Sequence, residues 1–211
     1  MKNTSLLPKV LFCIYLAVFI IGAFNPFARD VWFVENATVW VVLIPILIMY
    51  FKGIRFSNTA YILMSVFIIM HTIGGHFTFE RVPFGFVDRL FGFERDMYDR
   101  VAHFSVGFYA FPIAELLVFK KLVNNRWVAY LFGLFTIMGV AAAYEIFEWL
   151  YAISSDPTAG IAVLGSQGDI WDAQKDMLAD TLGAICAVIG FAVARGKSLK
   201  HLSASTTHHG N

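Results

Sequence analysis

The stretch WVAYLFGLFTIMGVAAAYEIFEWLY, residues 127–151, carries no charged side chain before Glu145 and then presents Glu145 and Glu148 near its end. About 20 apolar residues in a helix cross a bilayer core of roughly 30 Å, because a helix satisfies its own backbone polar groups where no water can. Working outward from this run, apolar segments at 8–25, 37–52, 58–79, 100–119 and 176–194 have the same character, the second being the shortest. The chain therefore reads as an all-α polytopic membrane protein. Its expected form is a six-helix transmembrane bundle with structured outer loops, one domain over 1–200 followed by a disordered tail at 201–211. A composition of 58% apolar and 15% charged residues over 211 positions excludes an ordinary soluble domain.

Charge sets the orientation. Lys2 and Lys9 flank the start of the first run, Lys52 and Arg55 follow the second, Lys120, Lys121 and Arg126 follow the fourth, and Arg195, Lys197 and Lys200 follow the sixth. These are ten of the 16 basic residues, and no acid accompanies them in those loops. The positive-inside rule then assigns both termini to the cytoplasm. Fourteen of the 15 acids fall on or beside the opposite side; Glu115 alone does not, and is expected to snorkel or pair near the cytoplasmic surface.

The outer segments are not simple tethers. Residues 80–99 interleave charge with aromatic and glycine positions, which suits an interfacial cap, and 152–171 is rich in Ser, Pro and Gly before the chain re-enters the membrane. Cys13 and Cys186 sit inside apolar runs, so no disulfide framework is indicated. A net charge of +1 and basic loops explained by orientation point to no nucleic-acid partner; the lipid bilayer is the partner implied.

Ionisable groups inside a span cost a few kcal/mol unless paired, solvated or used. Here they converge. His71 and His76 lie at the outer end of the third run, Asp99, Arg100 and His103 at the start of the fourth, Glu145 and Glu148 at the end of the fifth, and Asp172, Asp176 and Asp180 at the start of the sixth. All share one depth in the outer leaflet. Asp99 and His103 are four apart, Glu145 and Glu148 three apart, and the three aspartates follow at steps of four, so each set lines one helix face. His71 and His76 are five apart, about 140° around a helix, and both face one centre only if Gly74-Gly75 distorts it.

Clustered carboxylates in a low dielectric call for protons or a cation. Histidines among them match the ligands of zinc, with iron or manganese as alternatives. His71, His76, His103, Glu145, Asp172, Asp176 and Asp180 are the candidate ligands of a divalent metal, Glu148 the candidate general base, and Arg100 the candidate grip on an anionic headgroup. The competing structural reading is a helix-end His103 donating to Asp99 and an interfacial Asp99-Arg100 pair.

The runs Asp99-Arg100-Val101-Ala102-His103-Phe104, Tyr144-Glu145-Ile146-Phe147-Glu148 and Asp176 to Ala184 resemble the VanZ-like family of small bacterial membrane proteins. Together with His71 to Phe79 and Gly168-Asp169-Ile170-Trp171-Asp172, the chain looks closest to the YjdF-type inner-membrane family, across residues 58–192. In the VanZ-like signature the positions of Glu148 and Asp180 are Gln and Asn. Both departures here add acid. The VanZ-like family is associated with glycopeptide-antibiotic resistance, which the likeness is too distant to carry over; the YjdF-type family implies no assigned activity.

Three functions follow as expectations. The first is a metal-dependent membrane enzyme acting on a lipid or envelope intermediate from the outer face. The second is an ion- or proton-coupled transporter or non-catalytic carrier using the acidic row, against which no such row reaches the cytoplasmic half and no internal repeat is visible. The third is a structural partner that docks another membrane subunit through its polar cluster.

Overall fold

The computed structural model describes residues 5–206, and the side chains of residues 5–195. Among the described residues the chain is helical, with no strand. Five helical segments are long and apolar enough to span a membrane: α2 (Arg29–Phe51), α3 (Asn58–Phe77), the pair α5 (Tyr98–Val106) and α6 (Ala110–Phe119), α7 (Arg126–Ser154), and α9 (Asp172–Thr206) as far as Arg195. The expected first span is a shorter apolar helix, α1 (Leu7–Gly22), about 24 Å long at 1.5 Å per residue. The expected disordered tail at 201–211 falls outside the described side chains and, from residue 207, outside the described residues altogether.

The second span differs most from expectation. It begins at Arg29 rather than 37 and takes Asp30, Glu35 and Asn36 into the helix. Acids ordinarily mark the end of a span because an unpaired one is costly in hydrocarbon. Glu35 and Asn36 are 1% and 0% exposed, and each has a partner, His71 for Glu35 and the Trp32 carbonyl for Asn36.

The fourth span is broken. A turn of 3-10 helix at Gly107–Tyr109 joins α5 to α6. Pro112 has no N–H to return to the carbonyl four residues back, and its ring crowds that turn, so the ladder loosens just before it. The same point is where α5 crosses α9 most closely. A Cβ on Gly183 would collide with the Phe104 carbonyl, and one on Gly107 would collide with the Gly183 and Ala184 backbone.

The loops expected on the outer side hold two short helices, α4 (Gly85–Phe91) and α8 (Pro157–Leu164). The Asp156 side chain caps α8 by accepting from the Thr158 N–H, and Gly165 ends it at a φ of 58°. Val31 of α2 and Val163 of α8 pack together, so α8 lies over the outer ends of the spans.

The half of the bundle away from α4 and α8 is the apolar core, with Phe56, Phe111, Tyr130, Ile137 and Phe191 joining α3, α6, α7 and α9. Glu115 is its buried exception. Its two oxygens accept from the Ser57 N–H and hydroxyl at 2.6 Å each, and Arg195 stands 3.7 Å away. The carboxylate ties the start of α3 to α6 rather than reaching the surface.

Candidate functional site

The polar groups meet at the outer ends of α5, α7 and α9, with α2 and α3 behind. His103 is central. Its Nδ1 lies 3.2 Å from Asp180 Oδ2, while its Nε2 lies 3.7 Å from Asp99 Oδ1 and 3.8 Å from Asp176 Oδ1. A carboxylate on Nδ1 accepts that nitrogen's proton in a hydrogen bond and leaves the Nε2 lone pair to face the other two carboxylates, open to a cation. The donor atoms of Asp99, His103 and Asp176 all lie within 4.8 Å of one another, and all three residues are buried. Donors roughly 3.4 Å apart surround a tetrahedral ion with bonds near 2.1 Å, so a divalent ion would fit once these donors close inward and Asp176 Oδ1, which also binds Arg100 Nη1, turns to it.

Charge is unevenly balanced around this centre. Arg100 binds Asp172 and Asp176, and Arg95 reaches Asp172 at 2.7 Å. Lys175 pairs with Asp169 at 2.6 Å; that ammonium, with the Trp171 N–H, holds the Asp169 carboxyl below the usual range. Asp99, Asp180, Glu145 and Glu148 have no such guanidinium or ammonium among the described residues. Oδ1 of Asp180 and Oε1 of Glu145 are buried with no hydrogen-bond partner. Neighbouring carboxylates without cations in a low dielectric need protons or a metal ion.

A second cluster faces the first. His71 Nε2 lies 2.9 Å from Glu35 Oε2, and the Tyr144 hydroxyl donates to the same oxygen at 3.1 Å. Tyr144 stands between the clusters, with its ring about 6 Å from both imidazoles. A cavity of about 190 Å³ lies between them. Asp99, His103, Asp180, His71 and Glu148 line its outer end, and Val106, Ile113, Ile137 and Val140 its inner end.

The structure therefore brings together only part of the expected ligand set. His103 and Asp176 are in the triad, and Asp180 orients His103 from behind. Asp172 is held by two arginines instead, and Glu145 is half-buried at the margin. His71 belongs to the Glu35 cluster. His76 points away, with Nδ1 at 2.8 Å from the Gly22 carbonyl of α1. α3 runs through Gly74-Gly75 without distortion; the glycines make room, since a Cβ on Gly75 would come within 2.8 Å of Glu35 Cβ. Both useful nitrogens of Arg100 are spent on aspartates, so it has no free donor pair for a headgroup. Glu148 is buried and lines the cavity.

Glu35 and Tyr144 were absent from the expected site, and Asp99 was in the convergent set but not among its candidate ligands. Asp99 carried a signal, its spacing of four from His103. Glu35 carried a fainter one: Val31, Val39 and Leu43 repeat at helical spacing, and Glu35 falls on the same buried stripe.

Residues 7–197 match the family model described as "Predicted membrane protein (DUF2238)". The inner membrane protein YjdF of Escherichia coli (strain K12) is 29% identical over 206 residues, covering 97% of this chain and 95% of that protein. No solved structure matches the chain.

Proposed function

We propose, for a chain that belongs to the DUF2238 family of membrane proteins, that the Asp99–His103–Asp176 centre binds a divalent metal ion and supports chemistry on a lipid or envelope intermediate. It is an integral membrane protein. In this reading α1 is the sixth span, both termini are cytoplasmic by the positive-inside rule, and the membrane is the bacterial inner membrane, as in the E. coli relative's name.

The observation that carries the reading is the division of labour on His103, with Asp180 on one ring nitrogen and two further carboxylates around the other. Metal-binding histidines regularly have such a carboxylate behind them, because it sets the tautomer and raises the donor's basicity. Zinc suits the donor set best, with iron or manganese as alternatives. When bound, the ion supplies a Lewis acid for a phosphoryl or carbonyl oxygen and a more acidic water. Glu148 faces the same cavity and is placed to take a proton from a water or hydroxyl there. Arg100 positions Asp176 and, with Arg95, Asp172.

Elemental analysis of protein purified without chelators tests the reading. Stoichiometric divalent metal, lost in His103→Ala and Asp176→Asn, is expected. A native protein that holds no metal and takes up no zinc on titration would falsify it. A transporter reading gains no support, because below Asp180 the interior turns to the apolar core around Phe111, Ile137 and Phe191.

A further inference from the structure

The cavity beside the centre has a roof and a thin side wall. Val163 and Gly165 cover its outer end, and Gly165 sits close enough that a Cβ would lie 3.5 Å from Asp99 Oδ2. α8, which carries Val163, packs on both α2 and α7. Those two spans do not pack closely on each other along their length. They meet at the outer end through the Tyr144–Glu35 hydrogen bond, and below it Thr38 and Val42 of α2 face Thr136 and Val140 of α7 across the cavity. Val140 lines the cavity and is also 49% exposed, so a single side chain there stands between the cavity and the outer surface, at a level that lies within the bilayer.

The lining changes character with depth. Carboxylates and imidazoles occupy the outer end. Further in, the Tyr109 hydroxyl is turned out to the Met64 carbonyl at 3.0 Å, and the Thr38 hydroxyl is turned back to the Val34 carbonyl at 3.4 Å. What remains facing the space is hydrocarbon and ring. From Glu148 to Thr136 the lining follows α7 for about 18 Å at 1.5 Å per residue, so the space is elongated along the membrane normal.

We infer that a membrane amphiphile enters sideways between α2 and α7, lays one aliphatic chain along α7 toward Ile113 and Ile137, and presents its polar group to the Asp99–His103–Asp176 centre. Burying a methylene is worth about 0.8 kcal/mol wherever it leaves water, but a chain that comes from the bilayer gains little from that term. Selection then rests on shape and on the polar end, and the polar end rests on the metal reading above. A roofed site with a lateral opening excludes water-soluble substrates and favours single-chain over bulky lipids.

The test uses the full chain in lipid nanodiscs and a long-chain alkyl phosphate carrying a photoreactive diazirine at the far end of its chain. Expected adducts fall within 106–113 or 136–140. Val140→Trp and Thr38→Trp, which narrow the opening from opposite sides, are each expected to reduce those adducts roughly tenfold, the equivalent of about 1.4 kcal/mol of steric exclusion. A short-chain alkyl phosphate is expected not to compete. Adducts confined to lipid-facing positions such as Phe132 and Phe135, yields unchanged in both variants, or equal competition by the short chain would each overturn the inference. Metal content measured on the same samples separates the two readings: portal-dependent labelling of metal-free protein keeps the lateral path and removes the metal centre, whereas stoichiometric metal without cavity labelling does the reverse.

Discussion

Nδ1 of His103 lies 3.2 Å from Oδ2 of Asp180, one helical turn inward from Asp176 on α9, and this contact decides which face of the imidazole meets Asp99 and Asp176. The pair converts a crowded acidic end into a directed one.

Asp180→Ala is accordingly expected to leave the fold intact and weaken zinc binding by about 10- to 100-fold, the usual cost of removing a carboxylate behind a metal-binding histidine. His103→Ala is expected to abolish binding. Zinc titration by calorimetry in detergent checks both, and equal affinity in Asp180→Ala and the native protein would remove the orienting role.

His71→Ala is expected to keep the metal and lose stability. It leaves Glu35 buried with only Tyr144, and breaking a buried pair costs roughly 3–5 kcal/mol. The double variant with Glu35→Ala should cost less than the two single changes added together, because the pair is one interaction. Denaturant titration of the four proteins measures this; strict additivity would mean the contact carries no coupling.

Two glycines in one helix should behave oppositely. Gly183→Ala places a methyl group into the Phe104 carbonyl, and a cost of about 1–3 kcal/mol is expected from forcing α5 and α9 apart. Gly190 has open space at the same atom, so Gly190→Ala is expected to be neutral or stabilising by up to about 1 kcal/mol. Melting temperatures of both variants settle the contrast; similar losses at the two positions would mean the close crossing is not what Gly183 serves.

The segment before α9 is expected to loosen in acid. Asp169 is held below the usual carboxylate range by Lys175, so its contribution is complete above that range and is lost as pH falls through its lowered value. Limited proteolysis at 165–171 should therefore accelerate below about pH 4, and Lys175→Met should show the same loosening already at neutral pH. Cleavage that is independent of pH would show the pair to be irrelevant to loop order.

Most of the helical frame was legible because hydropathy over a span-length window reports a solvent requirement, and a bilayer imposes that requirement uniformly. The start of α2 was not. Glu35 reads as the end of an apolar run until its partners are known, and both partners lie far along the chain, on α3 and α7. His76 failed in the opposite way. It shares composition and depth with His71, but its side chain leaves α3 toward the Gly22 carbonyl of α1.

The sequence by itself determined that the chain is helical, that its acids gather at one end of the spans, and that Asp99 with His103 and the three aspartates of α9 each share a face, since all of these follow from hydropathy and the helical repeat. Only the tertiary structure decided which groups meet. Arg100 is consumed by Asp172 and Asp176, His71 turns to Glu35, and His103 is left with Asp180 on one nitrogen and open space toward two carboxylates on the other. Rotation of one helix against another sets those pairings, and that rotation is fixed by close backbone approach at Gly107 and Gly183 between segments more than seventy residues apart.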